Sequence, residues 1–174
     1  SPEFFRNDVW VGFTMAGEPR AWQRAKRGKF SSYTAAEVAA AKKDIGYSAL
    51  EALYGRDKDE SSDLGIDLTF CCFNRNGEDL DNYVKLVLDA LSHVVWHDDQ
   101  QVVELQARIT ETDTATEAYT KVEVWVVREG PRCLYCGKPF PIGKRRKGQI
   151  YCDRECRSLD AAEAKAQRKR AGGS

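Results

Sequence analysis

"LGIDLTFCCFNRNGEDLDNYVKLVLDAL", Leu64 to Leu91, changes its periodicity partway along. Its first part alternates and then becomes continuously apolar, as a largely buried strand does. "NRNGED" carries the turn residues that end it. Beyond it Leu80, Val84, Val87, Leu88 and Leu91 recur at helical spacing, which predicts a helix over about 80 to 93. A buried strand that runs through a tight turn into an amphipathic helix implies a helix docked on a sheet.

The flanks extend the pattern. "VWVGFTM" (Val9 to Met15) is rich in β-branched and aromatic residues and predicts a first strand. "AGEPRAWQRAKRGKFSS" is a basic loop punctuated by Gly and Pro. "YTAAEVAAAKKDIGYSALEALYG" predicts a long helix with Thr34 as N-cap, Glu37 completing a capping box, and Gly55 after its end. "GRDKDESSD" is expected as a solvated linker. "QVVELQARITET" alternates, with Val103, Leu105, Ala107 and Ile109 on one face, and "AYTKVEVWVVRE" alternates again as its hairpin partner. The order β-α-β-α-β-β predicts an α+β (mixed α/β) fold, a mixed sheet with two helices on one face.

With 174 residues and 42% apolar content, the chain suffices for one domain and a small appendage. "SPEF" at residues 1–4 has the look of a cloning remnant. The expected division is a main domain over 5–130, a cysteine-bounded module over 131–158 and a basic helical tail over 159–174. Apolar runs are too short for a membrane span and no signal-peptide pattern opens the sequence, so a cytoplasmic location is expected. Net charge is zero, yet Pro131 to Arg170 holds 12 basic and 4 acidic residues. An acidic body with a basic end points to a polyanionic partner or to self-association.

Asp79 and Asp81 stand two apart at the helix start, so in extended backbone their side chains share a side. Two carboxylates held close favour a divalent cation; Mg²⁺ takes oxygen ligands, often one or two carboxylates with water and phosphate. Asp98 and Asp99 supply a second pair after the helix. A plainer role is open to the same acids. Aspartate at a helix start caps it, and Asp81, Lys85 and Asp89 have the spacing of a salt-bridge ladder. Distance is a difficulty, because a helix of about 14 residues spans roughly 20 Å. To join Asp79 and Asp81, Asp99 must fold back along the helix or come from a partner chain.

Arg20, Arg24, Lys26, Arg27 and Lys29 have the charge to follow a phosphate backbone, and Trp22 and Phe30 the faces to stack on exposed bases. Cys133, Cys136, Cys152 and Cys156 have C-x2-C-x15-C-x3-C spacing, which suits tetrahedral Zn²⁺ and has the look of a treble-clef or ribbon-type finger. Four free or disulfide-paired thiols are the alternative. Zinc would staple a segment too short to have its own core, and Lys144, Arg145, Arg146 and Lys147 between the cysteine pairs would meet phosphates. Cys71 and Cys72 fit as small apolar fillers of a buried strand.

"EDLDNYVKLVLDAL" followed by "VVWHDDQQV" closely resembles the RusA family of Holliday junction resolvases, with its DLDN box, a lysine one turn on, a DAL helix and a DD-x-Q segment after a tryptophan. "GEPRAWQRAKRGKF" is similar to the family's basic N-terminal segment. The likeness covers roughly residues 9 to 128; the cysteine module lies beyond the family's minimal pattern. It implies a homodimeric, Mg²⁺- (or Mn²⁺-) dependent endonuclease for branched DNA (four-way junctions, forks or flaps) in recombination and repair, with no small-molecule cofactor; a phage origin would fit. By position Asp79, Asp81 and Asp99 become the metal ligands, Lys85 the catalytic lysine, and Asn82 and Asp98 supporting residues. His93 and His97 are further candidates for proton transfer. The alternative is a non-catalytic DNA-binding or architectural protein that keeps the fold.

Overall fold

The computed structural model describes residues 8–22, 35–74, 77–140 and 149–171. The strands are β1 (Val11–Ala16), β2 (Asp63–Cys72), β3 (Val102–Glu111) and β4 (Tyr119–Arg128); the helices are α1 (Ala35–Leu53), α2 (Leu80–Leu91) and α3 (Arg154–Ala171). Each element foreseen from the sequence is present among them. Thr34, the expected cap of α1, lies outside the described residues.

Sheet order is β1-β4-β2-β3. β4 pairs antiparallel with both β1 and β2, whereas β2 and β3 run parallel. The expected β3–β4 hairpin therefore does not form. The helix α2 is a crossover between β2 and β3 and carries the chain back to lie parallel beside β2. The opposite edge of β2 is then taken by β4. As the most apolar strand, β2 becomes central, with nine of its ten positions buried.

Leu64, Ile66, Leu68, Phe70 and Cys72 of β2 meet Val122 and Val124 of β4 and the buried stripe Tyr83, Leu86, Val87, Ala90 and Leu91 of α2 in one core. Phe70 and Tyr83 rings sit 5.2 Å apart. Burial first, then the Cys72 thiol and the carboxylates of Glu78 and Glu18, raise the Tyr83 phenol above its ordinary range, so it stays neutral. On the other face the indole of Trp125 covers Gly65, where a Cβ would come within 2.2 Å of it.

A register shift between Leu64 and Gly65 bulges β3 at Val103. Val102, Ala107 and Ile109 consequently pack on the core. Val103, expected in that row, is 53% exposed.

"GRDKDESSD" is a solvated linker only in its first part: Gly55, Arg56 and Asp57 are exposed, and the second part turns inward. Ser61 and Ser62 are buried, and the Asp59 carboxylate accepts hydrogen bonds from Ser61 N, Ser62 N, Ser62 Oγ and Gln101 Nε2. Asp59 also bridges Trp96 through the backbone. Its polar residues satisfy one another in place of water, which composition alone does not reveal. Beyond β4, α3 carries Cys156 in its first turn and exposes nearly all its remaining described positions. No described helix is long and apolar enough to cross a membrane.

Candidate active site and metal centre

The α2 helix begins at Asp79, whose backbone is extended and whose side chain makes no cap hydrogen bond. Capping therefore does not account for this acid. The ladder does not form either. Asp89 pairs with Lys42 of α1 at 2.8 Å, while the Lys85 ammonium lies over the Trp22 ring, 3.9 Å from its centroid. Trp22 N donates to the Asn82 carbonyl at 2.9 Å. The start of the basic segment is thus fastened to α2 beside the DLDN box. Glu18 fastens it again, accepting from Phe73 N and Asn74 N at the end of β2.

Past α2 the chain reverses. Residues 92–98 fold through Ser92–Trp96 and Asp59–Trp96 backbone bridges, with His93 N donating to the Trp96 carbonyl. His93 takes a positive φ of 65° at this reversal. A short 3-10 turn, Asp99–Gln101, then leads into β3. Asp98 caps it, accepting from Gln100 N, within a reciprocal capping box with Gln101. Asp99 takes the Trp96 indole N–H on Oδ1 at 2.7 Å.

This reversal brings Asp99 back along α2, to the cleft that Asp81 lines. Asp81, Lys85, Asp89 and Asp99 line one cleft of about 690 Å³, its apolar walls formed by Leu80, Val84 and Leu88 of α2 and Leu105 and Ala107 of β3. Asp79 stands exposed at the helix start, outside that lining. Among the described residues, ligand atoms converge to within 4.8 Å of one another only at the four cysteines, so the three acids are not drawn together to that degree. As donors they nonetheless fit a hard divalent cation. All are exposed carboxylates, and Asp79 and Asp81 make no ion pair among the described residues. Oxygen donors of this type, completed by water and phosphate, are what Mg²⁺ takes.

Sequence reasoning assigned no role to Gln101. It is fully buried; its Oε1 accepts from His97 N and Asp98 N, and its Nε2 donates to Asp59 Oδ1 and the Ser62 carbonyl. The only available signal was its place two residues after the acid pair. His97 is engaged elsewhere, with Nδ1 3.3 Å from Glu60.

The second site is the cysteine cluster. Cys133 and Cys136 lie in a tight turn in which Cys133 N donates to the Lys138 carbonyl and Gly137 N to the Cys133 carbonyl. Cys152 and Cys156 flank the start of α3, where Asp153 accepts from Cys156 N at 2.8 Å. Tyr135 reaches Glu163 and Tyr151 reaches Asp160, tying the turn to the helix. The sulfurs of Cys136 and Cys152 are 3.6 Å apart, and those of Cys152 and Cys156 3.3 Å. Burial opposes ionisation at Cys133, but backbone N–H groups of Cys136, Cys152 and Tyr135 outweigh it and bring the thiol down to about 6. At Cys152 the Cys156 thiol favours the anion, yet burial and the Cys136 and Cys133 thiols push it up to about 11. Cys152 and burial push Cys156 higher still. One thiolate forms readily, and its neighbours resist a second at this spacing until a cation compensates them. The four cysteines fit a metal ion.

The model of the RusA endodeoxyribonuclease family matches residues 14–126, more than half of the chain. The chain belongs to the RusA endodeoxyribonuclease family. No curated protein matches it significantly. The matched RusA region holds α1, β2, α2, β3 and every residue that lines the cleft, with the end of β1 and all but the last two residues of β4, and stops short of the cysteine cluster. Of the expected DNA-contacting residues, Arg20 is exposed and Trp22 half-buried, whereas Arg24, Lys26, Arg27, Lys29, Lys144, Arg145, Arg146 and Lys147 lie outside the described residues.

Proposed function

We propose that this RusA-family chain hydrolyses phosphodiester bonds of branched DNA with a divalent metal, acting as a homodimer. One observation carries the reading: Asp81 and Lys85 of α2 and Asp99 of the turn before β3 share a single cleft. Asp81 and Asp99, with Asp79 at the rim, would hold Mg²⁺ or Mn²⁺, which when bound activates water and offsets charge on the scissile phosphate. Lys85 supplies a positive charge opposite those acids, aimed at the charge that develops on the phosphate oxygens. Trp22 limits the excursions of its ammonium. The basic segment leaving Trp22 follows the phosphate backbone, contacts that position DNA without reading its sequence. At the other end, zinc in the four-cysteine site folds the C-terminal module, whose basic residues add phosphate contacts.

A panel of four-way junction, fork, flap, duplex and single strand, each with Mg²⁺ and with Mn²⁺, tests this reading. Cleavage confined to branched substrates and dependent on metal is expected. A second reading, binding without chemistry, is favoured by one observation: the three acids do not converge as the cysteines do. Junction binding with no cutting under any divalent metal would establish it instead.

A further inference from the structure

Trp96 is the largest fully buried side chain of the described residues, with 0% exposure. A buried indole has one polar atom, and burial obliges that N–H to find an acceptor. Any backbone carbonyl would satisfy it. Here the acceptor is Oδ1 of Asp99, at 2.7 Å, on an exposed residue of the cleft wall. Among the described residues Asp99 Oδ2 accepts no hydrogen bond.

The indole is packed in the core on an anchored backbone. Its backbone is bridged to Asp59 and Ser92, and its carbonyl accepts from His93 N. The turn that carries Asp99 is held from beneath by Gln101. A rigid donor rooted in the core therefore reaches out to one oxygen of a solvent-facing carboxylate. Left to itself, an exposed aspartate samples several rotamers and presents either oxygen.

We propose that Trp96 is a positioning residue for Asp99: its indole N–H holds Oδ1 so that Oδ2 meets the divalent cation in a single orientation. This rests on the metal-site reading above. Hydrogen bonds of this kind, made to the ligand and not to the metal, commonly change metal affinity by about 10- to 100-fold when lost.

The test needs a readout other than cleavage. Mn²⁺ is titrated into the full-length protein with its cysteine site left loaded, and free Mn²⁺ is followed by electron paramagnetic resonance. Two variants remove the N–H: Trp96→Phe, and replacement of Trp96 by 3-benzothienylalanine, which puts sulfur in place of N–H and keeps the shape of the ring pair. The second guards against a packing defect in the first. The isosteric variant should bind Mn²⁺ about 10-fold more weakly with an unchanged melting temperature. Its cleavage should be restored to within about 3-fold at saturating Mn²⁺, with half-saturation shifted by the same factor as binding. Wild-type Mn²⁺ affinity in the isosteric variant, while Asp81→Asn loses binding, would overturn the role of Trp96 and leave the metal site standing. Wild-type Mn²⁺ binding by both Asp81→Asn and Asp99→Asn would overturn the metal site, and the proposal with it.

Discussion

The molecule holds two sets of potential ligands that are built in opposite ways. At the C-terminal module four thiols lie within 4.8 Å of one another, gathered by one tight turn and the first turn of α3. In the cleft, carboxylates from the first turn of α2 and from the turn before β3 line one space with apolar walls, built on the β2-α2-β3 unit. Donor chemistry would account for the contrast if the proposed ions occupy the two sites. Zinc with four thiolates keeps no water, so the protein must supply the entire tetrahedron. Mg²⁺ retains several waters and shares substrate oxygens, so the protein supplies only two or three carboxylates and leaves room. A tight cluster suits a staple, and an open one suits a site that must admit a phosphate.

The sharpest break of this comparison is at the open site. Asp81→Asn or Asp99→Asn should lower cleavage by about 10³-fold or more, equivalent to some 4 kcal/mol of barrier, with junction binding retained in a gel-shift assay. Cutting at the wild-type rate by both variants would remove the cleft from the mechanism. The same change at the tight site should act differently. Metal analysis should give about one zinc per chain. Cys156→Ser should lose it and expose the amides of 131–171 to hydrogen exchange, while those of the sheet stay protected. Junction affinity should fall by about 10-fold with its salt dependence, since several phosphate contacts go with the module.

How much of each site could be seen in the sequence follows from how local it is. The cysteine cluster was legible as spacing, because its four ligands come from two short turns. Strand β2 and helix α2 were legible because their apolar periods differ. The alternation of β3 and β4 named them as strands but could not say that β2 lies between them; that follows from α2 acting as a crossover, a strand-helix-strand order that the quoted stretch begins and β3 completes. Asp99 was identified by resemblance, yet how it returns to Asp81 depended on Asp59 and Gln101. Asp59 lies in a segment that looks like solvated loop, and Gln101 is a polar residue at the edge of an alternating strand. Buried polar networks disguise themselves in this way, since composition reports polarity and not whether partners are near.

Gln101 gives the next largest effect. Gln101→Ala takes from the Asp98 amide its side-chain acceptor, leaves the His97 amide only the Asp59 carbonyl, and strips Asp59 Oδ1 and the Ser62 carbonyl of a buried donor. Orphaned buried groups cost about 1–3 kcal/mol each, so urea denaturation should show a loss of about 2–4 kcal/mol. A loss under about 0.5 kcal/mol, the scale of an ordinary surface change, would mean that the reversal before Asp99 is held by its backbone alone.

The smallest predicted effect separates two acids that line the same cleft. Asp81 and Asp89 are two helical turns apart on α2, both exposed and both in the lining. They differ in partners: Asp89 is paired with Lys42 at 2.8 Å, and Asp81 has no ion pair among the described residues. An exposed pair of this kind contributes about 0.2–1 kcal/mol. Asp89→Asn should therefore lower stability by no more than that and leave cleavage within about 3-fold of wild type, against the 10³-fold expected at Asp81. Lining the cleft would then be insufficient for a role in chemistry; what counts is a carboxylate left free to take a cation. Equal losses at Asp81 and Asp89 would show instead that the cleft acts through its summed negative charge, and the assignment of individual ligands would have to be given up.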